Sequence, residues 1–464
     1  MGPCRIIDSV DKSVCGANKE LIISRNVVRY AVGGASAHVG HASNLANYLG
    51  VNLKFGKNYL KQKAPKSVYK IWEKLDIIPE EPFKEIAEAL HSTTFGVNAD
   101  FKEIIKIALK LGIVDGYYGL YPATELEDKK YGKPKPKRGV VDLGVISKDK
   151  INIAVHGHEP MLAQALTKEI RKNNDINLVG VCCTGASLLA QHGIPLAAHV
   201  ILQEDVVATG AIDALVVDVQ CIMPSIADLV ECYHTKLITT NKIARFPNAI
   251  HLPVKNNNGE EVAKKIIKIA RDNKKNRGQI KLTDKKSEVS VGFTEDDFDP
   301  KEISDNIKDG RLKGVIAVIG CANPRVNDDW LSVYKKLSND YLILTTGCMA
   351  FEFGRNGLLD GKKVFHLGSC VNNSRVAEIF KRIADAGKND VTELPFIVSC
   401  PRPITEKAIA IGFFFASFGV DVHFGYPLIL TDKKIQLFLT DTLKNIFKSR
   451  VFLESSPERF MKSI

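Results

Sequence analysis

Six apolar runs in this chain end on a thiol or an imidazole, and this repetition constrains the fold more than any other feature. Ile151-Asn152-Ile153-Ala154-Val155 leads into His156-Gly157-His158, and Leu178-Val179-Gly180-Val181 leads into Cys182-Cys183. Val216-Val217-Asp218-Val219-Gln220 reaches Cys221, after which Pro224 stops the run. Val315–Gly320 leads into Cys321, Tyr341–Gly347 into Cys348, and Val364–Ser369 into Cys370. Short continuous apolar runs closed by Gly or Pro read as buried strands of a parallel sheet. In such sheets ligands collect at the carboxyl ends of the strands. Thiols and one imidazole converging there predict a metal–sulfur centre rather than a set of disulfides.

Between these runs the chain alternates strand and helix from Val140 to about Thr283, and again from Ile303 to the end, which is the pattern of βαβ units. Upstream the pattern is helical. Val27–Leu49 carries Ala, Val and Leu at helical spacing, broken by Gly33-Gly34; Lys66–Leu75, Pro82–Leu90 and Asp100–Leu111 are further amphipathic segments. Lys129–Arg138 reads as a Lys/Pro-rich linker and Thr283–Lys301 as a second linker. The expected architecture is multidomain, α and α/β: an N-terminal helical domain (1–134) followed by two Rossmann-like doubly wound α/β domains (135–290 and 291–464).

Composition narrows the classes. With 464 residues, 45% hydrophobic and 25% charged, the chain has ample core for two or three domains. A net charge of +11 is spread along the sequence, densest at Lys129–Arg138 and Lys264–Lys275. Tyr131 alone does not amount to the aromatic interleaving of a nucleic-acid surface, so these runs read as solvated faces. No 18-residue apolar run suggests a membrane span, and no signal peptide is expected from the opening residues. A cytoplasmic location follows, where ten cysteines are metal ligands more readily than bridges.

Taken singly, the candidate residues carry alternatives. The vicinal pair Cys182-Cys183 is expected to supply one ligand and one packed neighbour, because adjacent side chains do not easily face one site. His158 is a ligand candidate beside the thiols. His38 and His41, three apart on one helix face, could relay protons, bind metal or form a partly exposed polar stripe. Lys407 opens an apolar helix, either snorkelling or placed as a cation. Asp115 is a C-cap turn residue or a base. Cys4 and Cys15 are half of a site completed elsewhere, or structural; Cys232 and Cys400 read as structural.

Taken together, the motifs resemble the catalytic subunit of the anaerobic, nickel-containing carbon monoxide dehydrogenases. The resemblance runs through Gly2-Pro3-Cys4-Arg5-Ile6, Cys15-Gly16-Ala17, Ala37-His38-Val39-Gly40-His41, Val155–Pro160 and Val181-Cys182-Cys183-Thr184-Gly185. It continues through Asp218–Ser225, Cys232–Lys236, Gly320–Pro324, Thr346-Gly347-Cys348, Gly368–Arg375 and Glu406–Gly412, in family order. It implies a nickel–iron–sulfur active cluster, with Cys370 on nickel, Cys221, Cys321 and Cys348 on cubane irons, and His158 and Cys183 on a pendant iron. It also implies the reversible oxidation of CO with water to CO2, nickel taking CO and the pendant iron supplying hydroxide. Electrons would pass to a ferredoxin-like carrier from a homodimer. His38, Lys407 and Asp115 match the family's acid–base and hydrogen-bonding residues.

The sequence also departs from that pattern. Further family cysteines before the Gly-Pro-Cys-Arg motif are absent from a chain that starts at Met1, so Cys4 and Cys15 are expected to be half of a [4Fe-4S] cubane, with the cluster shared across the dimer lacking ligands. Asn44 and Asn47 stand where the family's histidine row continues, and the Cys348–Cys370 segment is short. Two rival readings follow: a hybrid-cluster-type hydroxylamine or nitric oxide reductase, and a non-catalytic cluster-bearing homologue.

Overall fold

The computed structural model describes residue 6 and residues 10–255, 258–326, 328–426 and 432–464; Cys4 lies outside them. Helix α1 (Lys19–Leu49) forms the spine of the N-terminal region. Asn18 caps it through its side chain, and Gly50 closes it in a left-handed turn. It runs unbroken through Gly33-Gly34, where the sequence predicts an interruption. Packing explains the two glycines. A Cβ on Gly34 would lie 2.4 Å from the Glu406 carbonyl oxygen and 2.5 Å from the Ala410 Cβ. The glycines therefore let α1 press against α5 (Glu406–Phe418), the helix that carries Lys407. Helix α2 (Phe101–Ile113) packs on both, and Gly112 meets the α5 backbone at Phe413 in the same way.

The first sheet holds β1 (Lys137–Val141), β2 (Ile151–His156), β3 (Ile176–Val181), β4 (Leu196–Ala198), β5 (Ile212–Val217), β6 (Lys236–Thr239), β7 (Ile250–His251) and β8 (Ser287–Val291). Their order is β7-β6-β5-β2-β3-β4-β1-β8, and all neighbours are parallel except β8, which runs antiparallel to β1. The second sheet holds β9 (Gly314–Val318), β10 (Tyr341–Thr345), β11 (Val364–His366), β12 (Phe396–Cys400), β13 (Asp421–Phe424) and β14 (Val451–Leu453). Its order is β11-β10-β9-β12-β13-β14, parallel throughout. β2, β5 and β9 are buried at every position, which is why they read as unbroken apolar runs rather than alternating ones.

Both expected linkers are shorter than the sequence suggests. A helix runs to Tyr131 and β1 begins at Lys137, so only 132–136 connects them. Within Thr283–Lys301 lies β8, whose alternation spans five residues, too few to stand out from a polar stretch.

The chain order crosses over between β2 and β5 in the first sheet and between β9 and β12 in the second. These crossover points are where an open α/β sheet leaves a crevice beyond its carboxyl edge. His158 and Cys221 follow the first pair of strands; Cys321 and Lys407 follow the second.

Candidate metal centre

All six thiols predicted at strand ends come to one place, and both members of the vicinal pair lie there beside thiols or backbone of other strands. Cys182 Sγ lies 3.9 Å from Cys348 Sγ, and donor atoms of His158, Cys182 and Cys221 all lie within 4.8 Å of one another. Cys183 Sγ accepts the backbone N–H of Cys370 at 3.4 Å. The expectation that one of Cys182 and Cys183 packs away is thus corrected. Its cause is in the backbone: Cys182 has φ of +57°, a left-handed turn at the junction of β3 and helix α3 (Cys182–His192). That turn breaks the alternation that would otherwise send successive side chains to opposite faces.

Cys221 is aimed by the same device. β5 stops at Val217, short of the predicted run, and Gln220 and Cys221 have φ of +70° and +59°. Consecutive non-glycine residues in this region carry strain that the surroundings must hold. Gln203 does so: its Nε2 donates to the Cys221 carbonyl (3.0 Å) and its Oε1 accepts from the Met223 N–H (2.9 Å). Gln203 carries no sequence motif, and only its burial on a neighbouring helix reveals it.

Of the two histidines in His156-Gly157-His158, one faces the centre. His156 Nε2 lies 3.0 Å from Gln203 Oε1, so His156 belongs to the scaffold. His158 Nδ1 donates to the Val219 carbonyl at 3.1 Å, which places its proton there and leaves Nε2 as a lone-pair donor. Asp218 buttresses this turn. Its Oδ1 accepts the His158 N–H (2.7 Å) and its Oδ2 the Glu159 N–H (3.2 Å). Gly157, at φ +131°, is the residue this arrangement requires, since a Cβ there would meet Asp218 Oδ1 at 1.8 Å. Burial, with Glu159 nearby, pushes the Asp218 carboxyl up to about 7, against the N–H bonds it accepts.

From the second sheet come Cys321, whose sulfur lies 3.5 Å from Thr405 Oγ1, Cys348 in the first turn of α4 (Gly347–Arg355), and Cys370. The charges are shared unevenly. Hydrogen bonding from Cys182 pulls Cys183 and Cys221 well below the usual thiol range, and His158 adds to the effect. Cys182 and Cys370 are pushed up by their thiol neighbours, Cys183 first in each case. Cys321 is pushed up to about 12, chiefly by burial. Lys407 is 2% exposed and its ammonium contacts His158 Nε2. Burial works against its charge, but the thiolates of Cys221 and Cys183 outweigh that and hold it above the usual lysine range.

His38 and Asp115 flank this group. Helix α2 passes without a stop into a π-helical segment, Val114–Leu120, so Asp115 is not the C-cap residue that its sequence also suggests. Widened turns of this kind recur at functional sites because they redirect a side chain. His38 Nδ1 and Asp115 Oδ1 lie 2.6 Å apart, both buried. Burial lowers the His38 pKa, Lys407 lowers it further, and Asp115 opposes them. His41 is buried too, paired with Glu127 at 3.2 Å rather than lying on an exposed stripe. Cys15 is exposed, with Ser13 Oγ 3.2 Å from its sulfur. Cys400 is buried as expected of a structural residue, whereas Cys232 is exposed at the end of the Ser225–Glu231 helix.

Five buried thiols and the half-buried Cys221, two of the six strongly acidic, with an imidazole lone pair and a buried ammonium, fit a cationic metal–sulfur group: the thiolates need positive partners, and this donor set is soft. A helical region and two doubly wound domains that build such a centre at their carboxyl edges define a redox metalloprotein. The chain belongs to the Prismane/CO dehydrogenase family, whose model matches residues 1–59 and 53–458. It is 32% identical to carbon monoxide dehydrogenase 1 of Methanosarcina mazei, over 98% of this chain and 88% of that protein. It is 31% identical to carbon monoxide dehydrogenase 1 of Carboxydothermus hydrogenoformans, over 98% and 89%. The fold superposes on carbon monoxide dehydrogenase IV of Carboxydothermus hydrogenoformans with a TM-score of 0.93 at 32% identity, covering 100% of this chain and 90% of that one. A nickel-free carbon monoxide dehydrogenase from Thermococcus sp. AM4 gives 0.92 at 30%, covering 100% and 88%. The alignment to the Methanosarcina mazei protein spans 550 positions against the 464 residues here, so that relative carries internal residues this chain lacks. Among the described residues, no helix is long and apolar enough to cross a membrane.

Proposed function

We propose that this chain is the catalytic subunit of an anaerobic carbon monoxide dehydrogenase, oxidising CO with water to CO2, two protons and two electrons. The observation that carries the reading is the meeting of Cys182, Cys183, Cys221, Cys321, Cys348, Cys370 and His158 beside a buried Lys407. A nickel–iron–sulfur group would supply the two-electron redox chemistry when bound. His158, Cys183, Cys221, Cys321, Cys348 and Cys370 would hold it, as the family resemblance assigns them, and Cys182 stands close enough to join them.

The remaining work falls to the protein's own side chains. Lys407 offers a fixed ammonium to negative charge that builds up during the reaction, in a site closed to bulk water. His38 stays neutral by burial; with Nδ1 against Asp115, its unpartnered Nε2 can accept a proton released by water. Asp115 fixes that tautomer. A small electron carrier of the ferredoxin type takes the electrons, and a homodimer is the assembly we propose.

The test is viologen reduction by CO with anaerobically purified protein loaded with iron, sulfide and nickel, and with metal content measured on the same sample. Nickel-dependent turnover is the expected result. Iron-loaded protein that takes up no nickel and shows no CO activity would overturn the reading.

A further inference from the structure

The ligands of the centre come from two α/β domains, so their spacing depends on what holds the domains together beside it. Helix α4 carries Cys348 in its first turn and Glu352 one turn later. Glu352 is buried and reaches across to His199, which follows β4 of the first sheet. His199 Nδ1 accepts the Ile201 N–H at 3.1 Å, so its proton sits on Nε2 and is donated to Glu352 Oε1 at 2.8 Å. The ring also stands edge-on to Phe351 at 5.3 Å. Arg355 continues the bridge, 3.4 Å from Glu352 and 3.4 Å from Asp142 of the first domain. Little freedom is left at either end: Asp142 is 2% exposed and His199 1%.

We infer that the His199–Glu352 pair, backed by Arg355 and Asp142, is a positioning element: it sets where α4 delivers Cys348 against Cys182 and Cys183. Glu352 touches none of the thiols and acts through the helix. The inference rests on reading Cys348 as a ligand of the centre. The geometry makes reach, rather than charge, the property that matters, because His199 needs only an acceptor at that distance.

Two substitutions separate the possibilities in the loaded enzyme. Glu352→Gln keeps the reach and the acceptor and loses the charge; Glu352→Asp keeps the charge and loses one methylene of reach. The electron paramagnetic resonance signature of the reduced centre, its midpoint potential and kcat for viologen reduction are read together. Expected is a wild-type signature for Glu352→Gln, with a shifted signature and kcat about tenfold lower for Glu352→Asp, the scale seen when a partner behind a metal ligand is lost. A wild-type signature for Glu352→Asp, or equal disruption by both, overturns the inference. Cys348→Ser is measured alongside: an unchanged signature there refutes the ligand reading itself, whereas loss of the signature there with a silent Glu352→Asp refutes only the positioning role.

Discussion

His38 and Asp115, 77 residues apart in sequence, hold each other at 2.6 Å between the long first helix and a π-helical turn. With Nδ1 tied to the carboxyl group, Nε2 is the atom left to handle protons. Asp115→Asn presents a different hydrogen-bonding partner and loosens the tautomer. Its expected effect is a fall in kcat of about 10²–10⁴, the usual range for a general base, with metal content unchanged. Steady-state CO oxidation with parallel iron and nickel analysis checks it.

Lys407→Met keeps the apolar stem that packs within α5 and removes the ammonium. Loss of a fixed charge in a dry site is expected to lower kcat by about 10²–10³. The thiolate of Cys221 would also lose a neighbouring ammonium that favours it, so spectral titration of the metal-free protein should show that thiol ionising at higher pH than in the parent.

Gly34→Leu tests the helix crossing that places Lys407. The added side chain must displace the Glu406 carbonyl oxygen. Overpacking of this kind costs about 1–3 kcal/mol or more. Thermal unfolding should drop accordingly, and activity should fall with it because α5 has to move. Gly40→Ala on the same helix, where nothing lies within 4 Å, is the control expected to leave activity unchanged and to raise stability by about 0.5–1 kcal/mol, the cost of a glycine inside a helix.

Asp213 supports the first sheet far from the thiols, accepting from His234 (3.0 Å), Arg277 (2.8 Å) and the Asn152 N–H (2.8 Å). Burial works against its charge, but the hydrogen bonds from His234 and Arg277 outweigh it and hold the carboxyl below the usual range. A depressed native pKa stabilises the fold above the unfolded value, and that contribution is lost as pH falls through the native one. Asp213→Asn should therefore cost about 3–5 kcal/mol at neutral pH. The gap should begin to narrow below about pH 4, where the unfolded parent takes up the proton, and narrow further as pH falls through the lower native value. Denaturant titrations at neutral and acid pH measure both.

The strands that end in candidate ligands were legible because nearly complete burial makes them continuous apolar runs, and a thiol or an imidazole at the end of each is a chemical signal independent of packing. The α/β alternation was legible for the same reason. Other features were hidden by long-range geometry. No local pattern shows that Gly34 sits under a carbonyl of residue 406, so a helix break was the natural inference from two adjacent glycines. Cys182 depends on a left-handed backbone angle, which a vicinal cysteine pair does not announce. Gln203 and Asp218 act on turns that are distant in sequence, and β8 is too short for its alternation to speak.

β8 has one more consequence. It closes the β1 flank of the first sheet with a full antiparallel pairing from Lys137 to Val141. The opposite flank is β7, two residues long, and the flanks of the second sheet, β11 and β14, are three residues each. Such stubs offer little backbone for a neighbouring molecule to pair with. Two large, mostly parallel sheets thereby leave, apart from β8 itself, almost no edge on which a second copy could pair.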